Sequence, residues 1–290
     1  MDNNSLNRLK NMNITIAGLG MEGGSMALAI KEWIRPKKIY GISRTENTIK
    51  AAEALEAIDK GSINPQEILE DTDLLILSMY PSGIVEFLRK NQEFLKPGTV
   101  ITDLAGTKKK LVPEILSFLR DDLDFIPGHP MAGNEFSGFL NADKAIFYNA
   151  NYILTPTERN KPENIDLIKT LALEIKCKGV EITDIDTHDK KIAYASQLVH
   201  AISVAITNSP SYDDQVEYFV GGSFKDITRV ARINPNLWTD AFLESKEDLL
   251  IEMDKFLKEF IKLKDALEIE DYEKIWNILE HSRQRRSREI

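Results

Sequence analysis

Short apolar runs alternate with segments of helical period through the first half of the chain. Asn13–Ala17 (N-I-T-I-A) is β-branched and stops at Gly18, and Ser25–Trp33 then sets apolar residues at helical spacing until Pro36. Lys38–Ile42 reads as a second strand, and Thr45–Ile58 as a second helix with Thr in the N-cap position. Asp73–Met79 (D-L-L-I-L-S-M) is almost continuously apolar, the pattern of a strand covered on both faces in a parallel sheet. A helix over Ser82–Phe94, a turn at Pro97-Gly98, a strand over Thr99–Asp103 and a helix over Thr107–Arg120 follow. Asp124–Ile126, Asn151–Leu154, Ile165–Lys176 and Gly179–Thr183 continue the series. Such alternation predicts an α/β fold with a Rossmann-type, doubly wound parallel sheet.

After Asp184 no strand-like alternation remains. Helical stretches over Thr187–Asn208, Pro235–Leu267 and Glu270–Arg286 surround a helix-compatible piece near Gly222–Arg232. Leu243, Leu250, Met253, Leu257, Phe260 and Ile261 recur on one face. A second copy of the chain would bury that face, so an all-α dimerisation domain and a homodimer are expected. The expected division is 1–184 for the sheet-bearing domain and 185–290 for the helical one.

Composition narrows the function classes. The 42% hydrophobic and 29% charged residues exclude global disorder. With 37 Lys plus Arg against 46 Asp plus Glu, the net charge of −9 argues against a nucleic-acid or anionic-membrane partner. The basic run Arg283–Arg288 reads as a solvated helix end. Cys177 is the single cysteine, which excludes an intrachain disulfide and any multi-Cys metal site and fits a reducing cytoplasm. No apolar run reaches the roughly 18 residues of a membrane span, and Met1–Asn13 is too polar for a signal peptide. A cytoplasmic protein is expected.

The first strand leads into Gly18-Leu-Gly-Met-Glu-Gly23-Gly-Ser25. Gly18 permits the tight turn, Gly20 lets backbone approach a pyrophosphate, and Gly23 lets the next helix pack on the strand, its N-terminus attracting the anion. Where a carboxylate would hold the adenosine ribose, the second strand ends in Ser43-Arg44-Thr45, which suits a 2′-phosphate. NADP is therefore preferred over NAD. The expected dinucleotide contacts are Gly18, Gly20, Met21, Gly23, Ser25, Ser43, Arg44, Thr45, Met79, Asp103 and Thr107.

Four histidines can be audited one by one: His129, His188, His200 and His281. His129 stands in Gly128-His-Pro-Met-Ala-Gly133-Asn-Glu135-Phe-Ser-Gly138, a loop at the carboxyl edge of the sheet, where ligands bind in such folds, and is the candidate general base. Gln197 and His200 share a helix face. His188 lies twelve residues before His200, roughly 120° around the helix, and reads with His281 as structural or solvated. No spacing such as H-E-x-x-H occurs, so no metal is expected. Lys225 and Arg229, at i and i+4, form either an anion site or a surface face partnered by Asp226. Trp238 could wall an aromatic-sized pocket or belong to the core.

These motifs together resemble the prephenate dehydrogenase family, the prephenate, arogenate and cyclohexadienyl dehydrogenases of tyrosine biosynthesis. The resemblance runs from the glycine motif to Glu247. It rests on Gly18–Ser25, Gly128–Gly138, His188-Asp189, S-Q-L-V-H at Ser196–His200, G-G-S-F-K-D-I-T-R-V-A at Gly221–Ala231 and P-N-L-W-T-D-A-F-L-E-S-K-E at Pro235–Glu247. It implies NAD(P)-dependent oxidative decarboxylation of a cyclohexadienyl substrate, with His129 accepting the ring-hydroxyl proton. It further implies that Arg229 binds the side-chain carboxylate, with His200, Gln197, Lys225, Glu135 and Trp238 around the pocket. Family members often carry D-x-G-S-x-K where this chain has Asp103-Leu-Ala105-Gly106-Thr107-Lys108, so the serine hydroxyl is absent at its aligned position and Thr107 stands one residue on. The chain reads as too short for a C-terminal ACT domain or a fused chorismate mutase, which places any tyrosine feedback at the catalytic site. The alternatives are a 3-hydroxyacid dehydrogenase with a Lys base, and a dinucleotide-binding protein that has lost catalysis.

Overall fold

The structure, a computed structural model, describes residues 3–133, 136–213 and 215–287. Nine strands lie among them: β1 (Asn13–Ala17), β2 (Lys38–Ile42), β3 (Lys60–Ser62), β4 (Leu74–Leu77), β5 (Val100–Asp103), β6 (Asp124–Ile126), β7 (Gly128–Pro130), β8 (Asn151–Leu154) and β9 (Gly179–Ile182). Six form a parallel sheet in the order β3-β2-β1-β4-β5-β6. The order reverses between β1 and β4, so a crevice opens at their carboxyl ends, beside Gly18 and Ser78.

Both faces of this sheet are covered. Ile14, Ile16, Leu74 and Ile76 pack with Met26 and Ile30 on one side, and Leu75, Leu77 and Ile101 with Ile84, Leu88 and Val112 on the other. This double cover is why β4 is apolar at every position.

The sequence reading needs two corrections here. Asn151–Leu154 and the strand beginning at Gly179 do not extend the main sheet. They form a second one, in which β8 pairs antiparallel with β7 and parallel with β9. Only Pro127 separates β6 from β7, too little for the crossover that another parallel strand requires, so the chain leaves the sheet at this point. The break sets His129 on β7, opposite Ile153, at the carboxyl edge of the main sheet.

The second correction concerns Pro235–Leu267, which is two helices, Pro235–Glu244 and Lys246–Glu268, broken at buried Ser245. Ser245 departs from helical backbone (φ −103°, ψ 16°), and its hydroxyl accepts a 2.7 Å hydrogen bond from Gln197 Nε2. Gln197 ends a π-helical turn (Ala193–Gln197) between the helices Ile185–Ile192 and Leu198–Thr207. Leu243, Leu250, Leu257, Phe260 and Ile261 are at least half exposed in the single chain. Among the described residues, no helix is long and apolar enough to cross a membrane.

Candidate active site

The turn after β1 is shaped by three glycines with different constraints. Gly18 adopts φ +97°, and a Cβ there would lie 2.1 Å from the Ser78 carbonyl oxygen. A Cβ on Gly23 would lie 2.0 Å from the Gly18 carbonyl, so the helix Met21–Trp33 can pack this closely only with glycine. Gly20 has nothing within 4 Å of its Cβ direction. That gap opens over the helix N-terminus, whose free N–H groups and dipole suit a pyrophosphate. Met79 flanks Gly18, and Ser43, Arg44 and Thr45 stand partly or fully exposed beyond β2.

Two of the expected dinucleotide contacts are committed elsewhere. Ser25 is fully buried, donating to the Met21 carbonyl (2.7 Å) and accepting from the Asp143 N–H (2.9 Å). Asp103 is also fully buried, ion-paired with Lys108 and accepting from the N–H groups of Ala105 (3.0 Å) and Gly128 (3.2 Å). Each polar side chain has protein partners.

The Nδ1 of His129 lies 2.9 Å from Nε2 of His188, whose own Nδ1 lies 2.6 Å from Asp189 Oδ1. Asp189 also accepts from the N–H groups of Lys108 (3.0 Å) and Lys109 (2.9 Å). The opposite edge of the His129 ring faces exposed Gly106, where a Cβ would stand 3.7 Å from both Nε2 and Cε1. Gly106 is thus the position beside the His129 ring, while Thr107 is buried with its hydroxyl unpartnered among the described residues. Burial, reinforced by the Lys108 ammonium, holds the His129 imidazole well below its ordinary pKa of 6.5 and so neutral at pH 7.

His188 is buried and hydrogen-bonded rather than solvated, and His129 approaches it from a strand 59 residues earlier in the chain.

In the helical half, His200 stacks on Trp238 with ring centroids 3.7 Å apart. Its Nδ1 is 2.9 Å from the Ser196 carbonyl, and burial lowers its pKa against that hydrogen bond, with Arg229 repelling the charged form. Lys225 and Arg229 are exposed on the adjoining turn, so His200, Trp238 and Arg229 converge while Lys225 lies on the same segment. Gln197 is not open to this pocket. It is buried and donates to Ser245, with its Oε1 unpartnered among the described residues. Glu135 lies outside the described residues.

The family model for "Prephenate dehydrogenase, nucleotide-binding domain" matches residues 26–198, and that for "Prephenate dehydrogenase, dimerization domain" matches 184–281. This chain belongs to the prephenate dehydrogenase family. The prephenate dehydrogenase of Bacillus subtilis (strain 168) is 30% identical over 93% of this chain and 74% of its own length. The cyclohexadienyl dehydrogenase of Zymomonas mobilis is 27% identical over 89% of each chain. A crystal structure of prephenate dehydrogenase from A. aeolicus, in complex with hydroxyphenyl propionate and NAD+, superposes with a TM-score of 0.86 at 29% identity, covering 95% of this chain and 97% of that one. Membership makes the protein an oxidoreductase, and the 3-hydroxyacid alternative is not favoured.

Within this family frame Glu22 stands out, because it places a carboxyl in the first turn of the nucleotide-facing helix. Burial pushes it from an ordinary 4.5 up to about 8, with Lys108 opposing and Asp103 adding to the rise. A carboxyl raised on folding favours the folded state below its unfolded value and loses that contribution as pH rises through about 8. Glu22→Gln should therefore raise the melting temperature more at pH 9 than at pH 5. Thermal unfolding of both proteins at the two pH values checks this, and an equal increment at both would refute it.

Proposed function

We propose that the protein oxidatively decarboxylates prephenate or arogenate, with His129 as the base and NADP preferred over NAD. The observation that carries this reading is a neutral imidazole whose Nε2 edge opens beside Gly106 at the carboxyl edge of the nucleotide-binding sheet. His129 Nε2 would take the ring-hydroxyl proton as that carbon gives up its hydride. A bound nicotinamide supplies the hydride acceptor. As carbon dioxide leaves, the electron pair of the broken bond completes the aromatic ring, and His129 returns the proton to the phenolic oxygen. Arg229 would hold the side-chain carboxylate by a forked contact, with Lys225 adding charge. The stacked His200–Trp238 pair would give the ring end of the substrate a flat wall.

The glycine turn fits a dinucleotide because Gly20 leaves space at a helix N-terminus. Arg44, with Ser43 and Thr45, supports the 2′-phosphate preference. The exposed apolar Leu243–Ile261 face supports a homodimer, in which a second copy would cover it. Steady-state kinetics on both substrates with both cofactors, read by absorbance of the reduced nicotinamide, test the reading. Turnover with one substrate and tighter NADP binding are expected, and Arg44→Ala should weaken NADP by about 1–3 kcal/mol while sparing NAD. Absence of turnover in every combination would reject the activity, and equal affinity for the two cofactors would reject the preference.

A further inference from the structure

Behind the base, the structure contains a second ionisable unit that the reaction as written does not use. His188 and Asp189 are both nearly fully buried at the start of the helical half, and they meet His129 across the boundary between the two halves of the chain.

Hydrogen-bond polarity fixes the direction of this chain. Asp189 accepts backbone N–H groups from Lys108 and Lys109 and is held as an acceptor. With His188 neutral, its Nδ1 donates to Asp189 and its Nε2 keeps a lone pair facing His129. His129 then donates from Nδ1, which leaves its Nε2 lone pair on the open side by Gly106. This pair of neutral tautomers is the one a general base needs. When His129 gains a proton, the Nδ1–H it already shares with His188 carries the new charge toward the Asp189 carboxylate, 2.6 Å beyond. No proton has to leave by this path, because the phenolic product takes it back.

We infer that His188 and Asp189 are positioning residues that lock His129 in its Nδ1–H tautomer and stabilise its protonated form during turnover. The inference rests on the reading of His129 as the base. The groups facing His129 are Lys108 from the loop after β5 and His188 from the helical half. Asp103 stands behind Lys108, and Asp189 behind His188. Lys108 and any charge on His188 disfavour charge on His129, and the Asp189 carboxylate behind His188 is the group of opposite sign. The anchoring of Asp189 to the Lys108 and Lys109 backbone also ties this orientation to the loop bearing Gly106.

The test uses the full chain with dinucleotide and the substrate it turns over. His188→Leu should lower kcat about 10²-fold, the low end of what a well-placed general base contributes. Substrate KM and dinucleotide Kd should stay within about threefold, since His188 is almost fully buried and presents no surface to a ligand. The acidic limb of kcat/KM should move to lower pH, because the imidazolium loses its hydrogen-bonded link to the Asp189 carboxylate; loss of packing alone would admit water and move it to higher pH, since burial is what depresses the His129 pKa. His188→Gln, whose amide oxygen can accept from His129 Nδ1, should recover part of kcat. An unchanged kcat and acidic limb in His188→Leu, alongside an inactive His129→Asn, would overturn the relay and leave the base standing. An active His129→Asn would overturn both. Should His188→Leu fail to fold, 15N-imidazole spectra of the unmodified protein decide the matter. Nδ1–H tautomers at both His129 and His188 support the inference, and an Nε2–H tautomer at either refutes it.

Discussion

Replacing His129 by Asn should lower turnover by about 10²–10⁴-fold while leaving dinucleotide affinity unchanged. The base reading requires a lone pair on Nε2, and an asparagine amide in its place has no basic nitrogen to offer. The strand itself should survive, because position 129 is held by backbone pairing of β7 with Ile153 and its neighbours. The dinucleotide should bind as before, since Gly18, Gly20 and Gly23 lie on a different turn and their geometry depends on Ser78 and on one another. Kinetics and fluorescence titration of the dinucleotide read the two effects separately. A variant retaining more than a tenth of the turnover would reject the assignment. The unmodified enzyme carries a matching pH signature. Because burial and Lys108 depress the His129 pKa, the neutral base should persist as pH falls, with the acidic limb of kcat/KM well below the ordinary imidazole value.

Lys108→Met should be the most damaging single change to stability, at about 3–5 kcal/mol. The ammonium and the Asp103 carboxylate are both fully buried and bonded to each other, and the ammonium also donates to the Ala105 carbonyl at 2.9 Å. Removing the cation leaves a buried carboxylate supported, among the described residues, by the N–H groups of Ala105 and Gly128. Isolated buried charge carries the large penalty, so adding Asp103→Asn to Lys108→Met should recover stability rather than lose more. Urea unfolding of the two variants measures this. A loss below about 1 kcal/mol, the range of exposed ion pairs, would show that the pair is not desolvated in solution.

The contrast between legible and illegible features follows the same physics. Leu74–Leu77 could be read as a central strand because four consecutive buried positions leave an unbroken apolar run. β3 is three residues of Lys, Gly and Ser, and β7 is Gly-His-Pro, so neither carries a periodic signal. Ser25, Asp103 and Gln197 looked like ligand contacts because a polar residue near a motif needs a partner. In the fold Ser25 bonds the Met21 carbonyl and Asp103 pairs with Lys108, while Gln197 donates to Ser245 and keeps its Oε1 without a partner among the described residues.

What the sequence determined by itself were features written in local order: the strand–helix alternation, the glycines at 18, 20 and 23, the histidine at the sheet edge and the family motifs. These depend on backbone geometry over a few residues, where periodicity and the missing Cβ act directly. Only the tertiary structure decided which polar groups meet. It placed His188 and Asp189 behind His129, buried Lys108 against Asp103, and turned Gly106 toward the His129 ring. Those contacts join segments of chain that folding alone brings together, and at close range hydrogen-bond polarity and desolvation set their chemistry.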